Sequence, residues 1–197
     1  KLKQVCAHPS LVDDSWGAKR ADSGKLERLE EMVDEVVDSN GKALIFTQFV
    51  EMGRKIRSTL SERLGKPVLF YHGSLSRVDR DTVIERFQKD DNIPVLVLSL
   101  RAGGTGLNLT AASHVFHYDR WWNPAVEDQA TDRAHRIGQE KDVQVIHLIC
   151  GGTLEERISE LIERKRSVAN GLIESGEAWL TELTTQELSK LWGLEER

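Results

Sequence analysis

The chain has 197 residues, 39% hydrophobic and 30% charged, which describes one ordinary globular domain with a sizeable core. No apolar run approaches the roughly 20 residues of a membrane span and no secretory leader is visible, so no membrane partner is expected. Of the net charge of −5, a net of −4 sits in the tail from Glu174 to Arg197, so a broad basic face for nucleic acid is excluded and any such contact must be local.

In chain order, residues 1–22 are expected to be a lead-in, 23–150 an α/β body and 151–197 a helical extension packing on it. The chain opens on Lys1 rather than Met and reads as a piece cut from a longer protein. A helix is predicted from Gly24 to Asp38, with Leu26, Leu29, Val33, Val36 and Val37 on one side. Others are predicted over Val50 to Leu64, over Arg77 to Gln88 behind a Ser76 cap, and over Pro124 to Arg136 behind Asn123. Between them recur short β-rich runs at 43–46, 67–71, 94–98, 114–118 and 143–149. Their near-continuous apolar character suggests strands covered on both faces. Alternation at this spacing argues for a parallel sheet with right-handed crossovers, an α/β class. After Cys150 only helices are expected. Thr153 to Glu156 is a capping box for a helix to about Ile173, and Thr184 to Glu187 a second box for a short last helix.

Several signals argue against other chemistries. Ser23-Gly24-Lys25-Leu26 lacks the glycine and hydroxyl of a phosphate loop, so Lys25 is placed in a helix first turn. Asp34-Glu35 lies on a helix and reads as solvated charge. His114 and His117 fall on opposite faces of a strand with no carboxylate or thiol cluster nearby, so no metal site is expected. Cys6 and Cys150 form no C-x-x-C and read as reduced, buried and inert, as suits an intracellular protein.

Three segments carry the functional signal. In Gln129-Ala130-Thr131-Asp132-Arg133-Ala134-His135-Arg136-Ile137-Gly138-Gln139, helical spacing puts Gln129, Arg133 and Arg136 on one face. Two guanidinium groups there repel unless an anion faces them, and Arg forks suit phosphate. Leu98 to Thr110 follows a strand, and Gly103, Gly104 and Gly106 give a backbone able to approach an anion, with Thr105 adding a hydroxyl. Asp119-Arg120-Trp121-Trp122-Asn123-Pro124 joins a strand to the Arg helix, and two adjacent Trp cannot both turn inward locally. Core or interface packing, which is common for Trp, is the competing account of the pair. Thr47-Gln48 and His72-Gly73-Ser74 end strands, where ligands bind in open α/β sheets.

The eleven-residue string resembles the last motif of superfamily-two helicases, in the form used by Swi/Snf-type DNA translocases. The Gly-rich segment resembles that family's fifth motif, Lys42 to Phe49 its fourth, and Leu2-Lys3-Gln4-Val5-Cys6-Ala7-His8-Pro9 its lead-in. The tail Glu177 to Leu183 looks like prokaryotic members. The resemblance implies a RecA-like second lobe of an ATP-driven double-stranded DNA translocase that remodels protein–DNA complexes. It implies Arg133 and Arg136 as arginine fingers with Gln129 as an orienting contact, and Gly104, Gly106 and Asp132 on the nucleotide cleft. It also implies Thr47, Gln48, His72, Gly73, Ser74, Arg101, Gly103, Thr105 and Asn108 on the DNA backbone, and Arg120, Trp121, Trp122 and Asn123 in lobe coupling. ATP and Mg²⁺ are the implied cofactors, with Mg²⁺ held by a first lobe elsewhere in the polypeptide. A lobe of an RNA or single-strand helicase, and a non-catalytic RecA-like binding module, remain as alternatives.

Overall fold

The computed structural model describes residues 1–13, 15–16, 23–99, 107–134 and 142–168, the last five of these by backbone alone. Among them five strands form one sheet: β1 Ala43–Thr47, β2 Val68–Tyr71, β3 Val95–Ser99, β4 His114–His117 and β5 Gln144–His147. Their order is β2-β3-β1-β4-β5 and every pairing is parallel.

Alternation along each strand splits the core into two layers. Ala43, Ile45, Val68, Phe70, Val95, Val97 and Phe116 face one layer, filled by helices α2 (Gly24–Asp38) and α3 (Val50–Leu64). Leu44, Phe46, Tyr71, Leu96, Leu98 and Val115 face the other, filled by α4 (Arg77–Lys89) and α5 (Pro124–Thr131). The lead-in helix α1 (Leu2–Ala7) buries Ala7 in the first layer, and α6 (Leu154–Val168) follows the last strand. Each fully buried Leu, Ile or Phe contributes about 1.5–3 kcal/mol relative to exposure.

The helices start where the sequence supplies an oxygen. Ser23 accepts from the Leu26 amide at 3.3 Å, Ser76 from Asp79 at 3.1 Å, and Asn123 from Ala125 at 3.0 Å. Gly65 closes α3 at φ 59°, the left-handed cap that a Cβ disfavours. Gly53 lets α3 lie close on β2: a Cβ there would stand 2.5 Å from the Phe70 ring.

Five expectations change. Helix α5 stops at Thr131 instead of reaching Arg136. The chain tightens, with Arg133 bonding back to Ala130 at 3.3 Å and Ala134 to Thr131 at 2.9 Å, three residues rather than four. The capping box at Thr153 is shifted by one: Thr153 accepts from Glu155 at 3.2 Å while Glu156 accepts from the Gly152 amide at 2.7 Å. Edge strand β5 is not covered on both faces, since Val145 is 40% exposed. Asp34 is not merely solvated, because the Arg63 guanidinium of α3 grips it through Nε at 2.7 Å and Nη2 at 2.6 Å. Cys6 and Cys150 are free but only half-buried, and the Cys150 thiol donates to the Cys6 carbonyl at 3.3 Å. The end of the helix expected to reach Ile173 and the one expected at Thr184 lie outside the described residues.

Candidate functional site

Because all the strands are parallel, they end on one edge of the sheet. That edge carries Thr47-Gln48, His72-Gly73, Ser99, Asp119-Arg120 and His147, all within or just past the last register pairs.

Asp119 is the first hub. It is 1% exposed and accepts from the Thr47 hydroxyl at 2.5 Å, the Gln48 amide at 3.1 Å and the Gln48 side chain at 2.6 Å. Burial raises its carboxyl above the usual carboxylate range. The Thr47 and Gln48 bonds and the charge of Lys3 oppose that rise. Gln48 also donates to the Arg120 carbonyl at 2.6 Å and accepts from Lys3 at 3.2 Å. Lys3 lies 4.8 Å from the Trp122 ring centroid and 6.0 Å from that of Trp121. Thr47 is fully buried, so its hydroxyl serves Asp119 and is shut off from any external phosphate.

Glu127 is the second hub, in the first turn of α5. It accepts from the Trp121 amide at 2.7 Å and pairs with Arg120 at 3.2 Å, both side chains almost fully buried. His147 Nδ1 stands 3.7 Å away, and its ring stacks on His117 at 4.7 Å. His117 in turn meets the Thr131 hydroxyl at 3.0 Å. Arg120 and Asn123 are therefore built into the fold. Trp121 and Trp122 are half-buried, and Trp122, like Leu154 and Leu161, packs against the buried pair Ile158 and Ile162.

Lys25, in the first turn of α2 as expected, is buried as well. It pairs with Glu155 of α6 and donates to the Tyr118 carbonyl at 3.0 Å. Burial holds the Tyr118 phenol well above its usual value, and its hydroxyl donates to the Ala7 carbonyl at 2.9 Å. This set ties α1, α2 and α6 to the end of β4.

The Arg turn is only partly described. Arg133 is 5% exposed, and its carbonyl accepts from Leu109 at 2.9 Å, which brings the exit of the Gly-rich segment against it. Gln88 of α4 holds that exit, donating to the Asn108 carbonyl and accepting from Ala111, both at 2.8 Å. Gln129 and Asp132 are exposed while Arg133 is buried, so the common helical face expected for Gln129 and Arg133 is not formed. Arg101, Gly103, Gly104, Thr105, Gly106 and Arg136 lie outside the described residues. Among the described residues no three His, Cys, Asp or Glu side chains converge as metal ligands, and no helix is long and apolar enough to cross a membrane.

Sequence spacing does not single out Lys3, Asp119 or Glu127 as functional positions. The available signal was weak: Asp119 stands directly before Arg120-Trp121, and Glu127 is a first-turn acid seven residues past Arg120.

An all-parallel sheet in this order, with helices on both faces and its polar residues gathered on the carboxyl edge, defines a RecA-like lobe. The chain matches the helicase conserved C-terminal domain over residues 24–138 and belongs to that family, in its Snf2-type branch. It is 50% identical over 196 residues to the Putative ATP-dependent helicase/translocase YwqA of Bacillus subtilis, covering 98% of this chain and 21% of that protein. The Sulfolobus solfataricus SWI2/SNF2 ATPase C-terminal domain superposes with a TM-score of 0.76 at 43% identity, covering 96% of this chain and 77% of that one. The SWI2/SNF2 ATPase core of the same organism, solved in complex with dsDNA, gives 0.80 at 45%, covering 96% and 40%. The chain spans about a tenth to a fifth of the length of the curated relatives it matches.

Proposed function

We propose that this chain is the second motor lobe of an ATP-dependent double-stranded DNA translocase that remodels protein–DNA complexes inside the cell, in the nucleoid or the nucleus according to the host. The observation that carries this is the 45% identity, over 96% of the chain, to a SWI2/SNF2 ATPase core solved with dsDNA. A first lobe in the same polypeptide supplies the phosphate loop and the Mg²⁺ ligands. ATP, when bound there, supplies the phosphoryl transfer that drives the cycle.

The residues here fit a nucleotide in one respect. Arg133 is held almost fully out of water beside the exit of a Gly-rich segment, and a desolvated guanidinium acts on phosphate more strongly than an exposed one. Arg133 and Arg136 serve as fingers, with Gln129 orienting and Gly104, Gly106 and Asp132 shaping the cleft. Gln48, His72, Gly73, Ser74, Arg101, Gly103, Thr105 and Asn108 meet the DNA backbone, with Thr47 acting through Asp119. Arg120, Trp121, Trp122 and Asn123 couple the lobes from a base fixed by Glu127. The isolated chain, lacking the first lobe, is expected to have no ATPase activity.

The test uses the full motor protein. Arg133→Ala and Arg136→Ala should each keep nucleotide and duplex binding yet lose about 10³–10⁵ in DNA-stimulated turnover, roughly 4–7 kcal/mol of barrier. Lys at either position should rescue poorly, because an ammonium cannot form the planar fork. A thermal melt accompanies each variant, since Arg133 is buried. Near-normal turnover in either Ala variant removes that residue from the assignment.

A further inference from the structure

Strand β2 is an edge of the sheet, and α3 is seated against it. Gly53 meets the Phe70 ring, and the Ser61 hydroxyl accepts from the Val68 amide at 3.1 Å. Gly53, Arg57 and Ser61 form one row of i, i+4 positions, so this row runs along β2. Arg57 on that row and Arg54, next to Gly53 and so nearest the Phe70 end of the strand, are both exposed. There the chain leaves β2 through His72-Gly73-Ser74, the His72 ring packing on Phe70 at 4.7 Å between centroids.

The other side of the same loop is held from α4. Arg80 donates to the Gly73 carbonyl at 2.6 Å, with its guanidinium 5.9 Å from the Tyr71 ring centroid. Arg77, one turn earlier, is exposed. Arg54, Arg57 and Arg77 have no salt-bridge partner among the described residues. Arg63, farther along α3, is gripped by both Asp34 and Glu30. Burial, and then the charges of Arg54, Arg57 and Arg80, hold the His72 imidazole below its usual value, so the three cations converge on this loop. A cluster of unmatched cations on a chain of net charge −5 is self-repelling unless an anion lies across it.

We infer that Arg54, Arg57 and Arg80 flank the His72-Gly73-Ser74 loop as a track for the phosphates of duplex DNA, widening this lobe's grip from one loop to a helix face. This rests on the duplex reading above. Arg80 braces the loop through Gly73, while Arg54 and Arg57 meet phosphate directly as charges. The contact is to backbone alone and carries no base preference.

The test compares wild type with the Arg54→Gln/Arg57→Gln and Arg54→Lys/Arg57→Lys pairs in the full motor protein. The probe is a fluorescent random-sequence duplex of about 30 base pairs, titrated without nucleotide across a salt series. Two lost phosphate contacts should lower the salt slope by about 2 and weaken binding roughly tenfold near 0.1 M salt. The Lys pair should bind like wild type, since a point charge suffices. A Gln pair that matches wild type in slope and affinity, while wild-type binding is itself salt-dependent, overturns this inference and leaves the duplex reading standing. Wild-type protein with no salt-dependent duplex binding overturns both. Loss of single-stranded RNA binding with duplex binding intact overturns the inference. Should the Gln pair lower the melting temperature, wild type decides: adding duplex should raise the His72 pKa as phosphates neutralise the arginines, and no change on saturation overturns the track.

Discussion

The two flanks of the sheet's carboxyl edge treat charge in opposite ways. On the β4–β5 side Asp119, Arg120, Glu127, Lys25 and Glu155 are all buried, and each has a hydrogen-bonded or ionic partner. On the β2 side Arg54, Arg57 and Arg77 are exposed, without a salt-bridge partner among the described residues. Buried charge is tolerable only when matched, and once matched it fixes geometry. Exposed unmatched charge fixes nothing within the fold and stays available to a ligand. The first flank should therefore fail in stability when altered, the second in binding.

The largest expected effect breaks the first flank. Lys25→Met leaves Glu155 buried without its cation and should cost about 3–5 kcal/mol in denaturant unfolding of the chain. The double variant Lys25→Met/Glu155→Leu removes both charges and should recover most of that loss. If the single and double variants unfold alike, the pair does not hold α2 to α6 as described. Next, Asp119→Ala strands the Thr47 hydroxyl and the Gln48 amide in a dry site, for a loss of about 2–4 kcal/mol. An unchanged melting curve would contradict the Asp119 hub.

The smallest effect belongs to the second flank. With its folded-state pKa depressed, His72 stays neutral in the fold at pH values where the unfolded chain already protonates. Its effect on stability is therefore nil well above pH 6.5 and turns destabilising as pH falls below it. Arg54→Gln/Arg57→Gln should move the His72 titration back toward 6.5, read by NMR, and leave the melt at pH 8 unchanged. A titration that does not move separates the arginines from the loop.

Much of the lobe is legible in the sequence alone. The helices Gly24–Asp38 and Val50–Leu64 appear with the boundaries their periodicity predicts, because caps and apolar spacing are local. The motif strings also placed the chain in its family. The end of α5 was not legible. Gln129, Arg133 and Arg136 keep helical spacing on paper, but the turn tightens after Thr131 as the Arg133 carbonyl bonds Leu109 across the core. Thr47 looked like a ligand-binding strand end, and its partner proved to be Asp119.

What the sequence determined by itself was the set of elements and the class of lobe, since both follow from patterns within tens of residues. Only the tertiary structure decided the order β2-β3-β1-β4-β5, and with it which charges meet. Thr47 and Asp119 are 72 residues apart, Lys25 and Glu155 are 130 apart. No local spacing encodes such pairs. Thr47 meets Asp119 because β1 lies beside β4, and Lys25 meets Glu155 because α2 and α6 come together past the end of β4, each in a site too dry for its charge to stand alone.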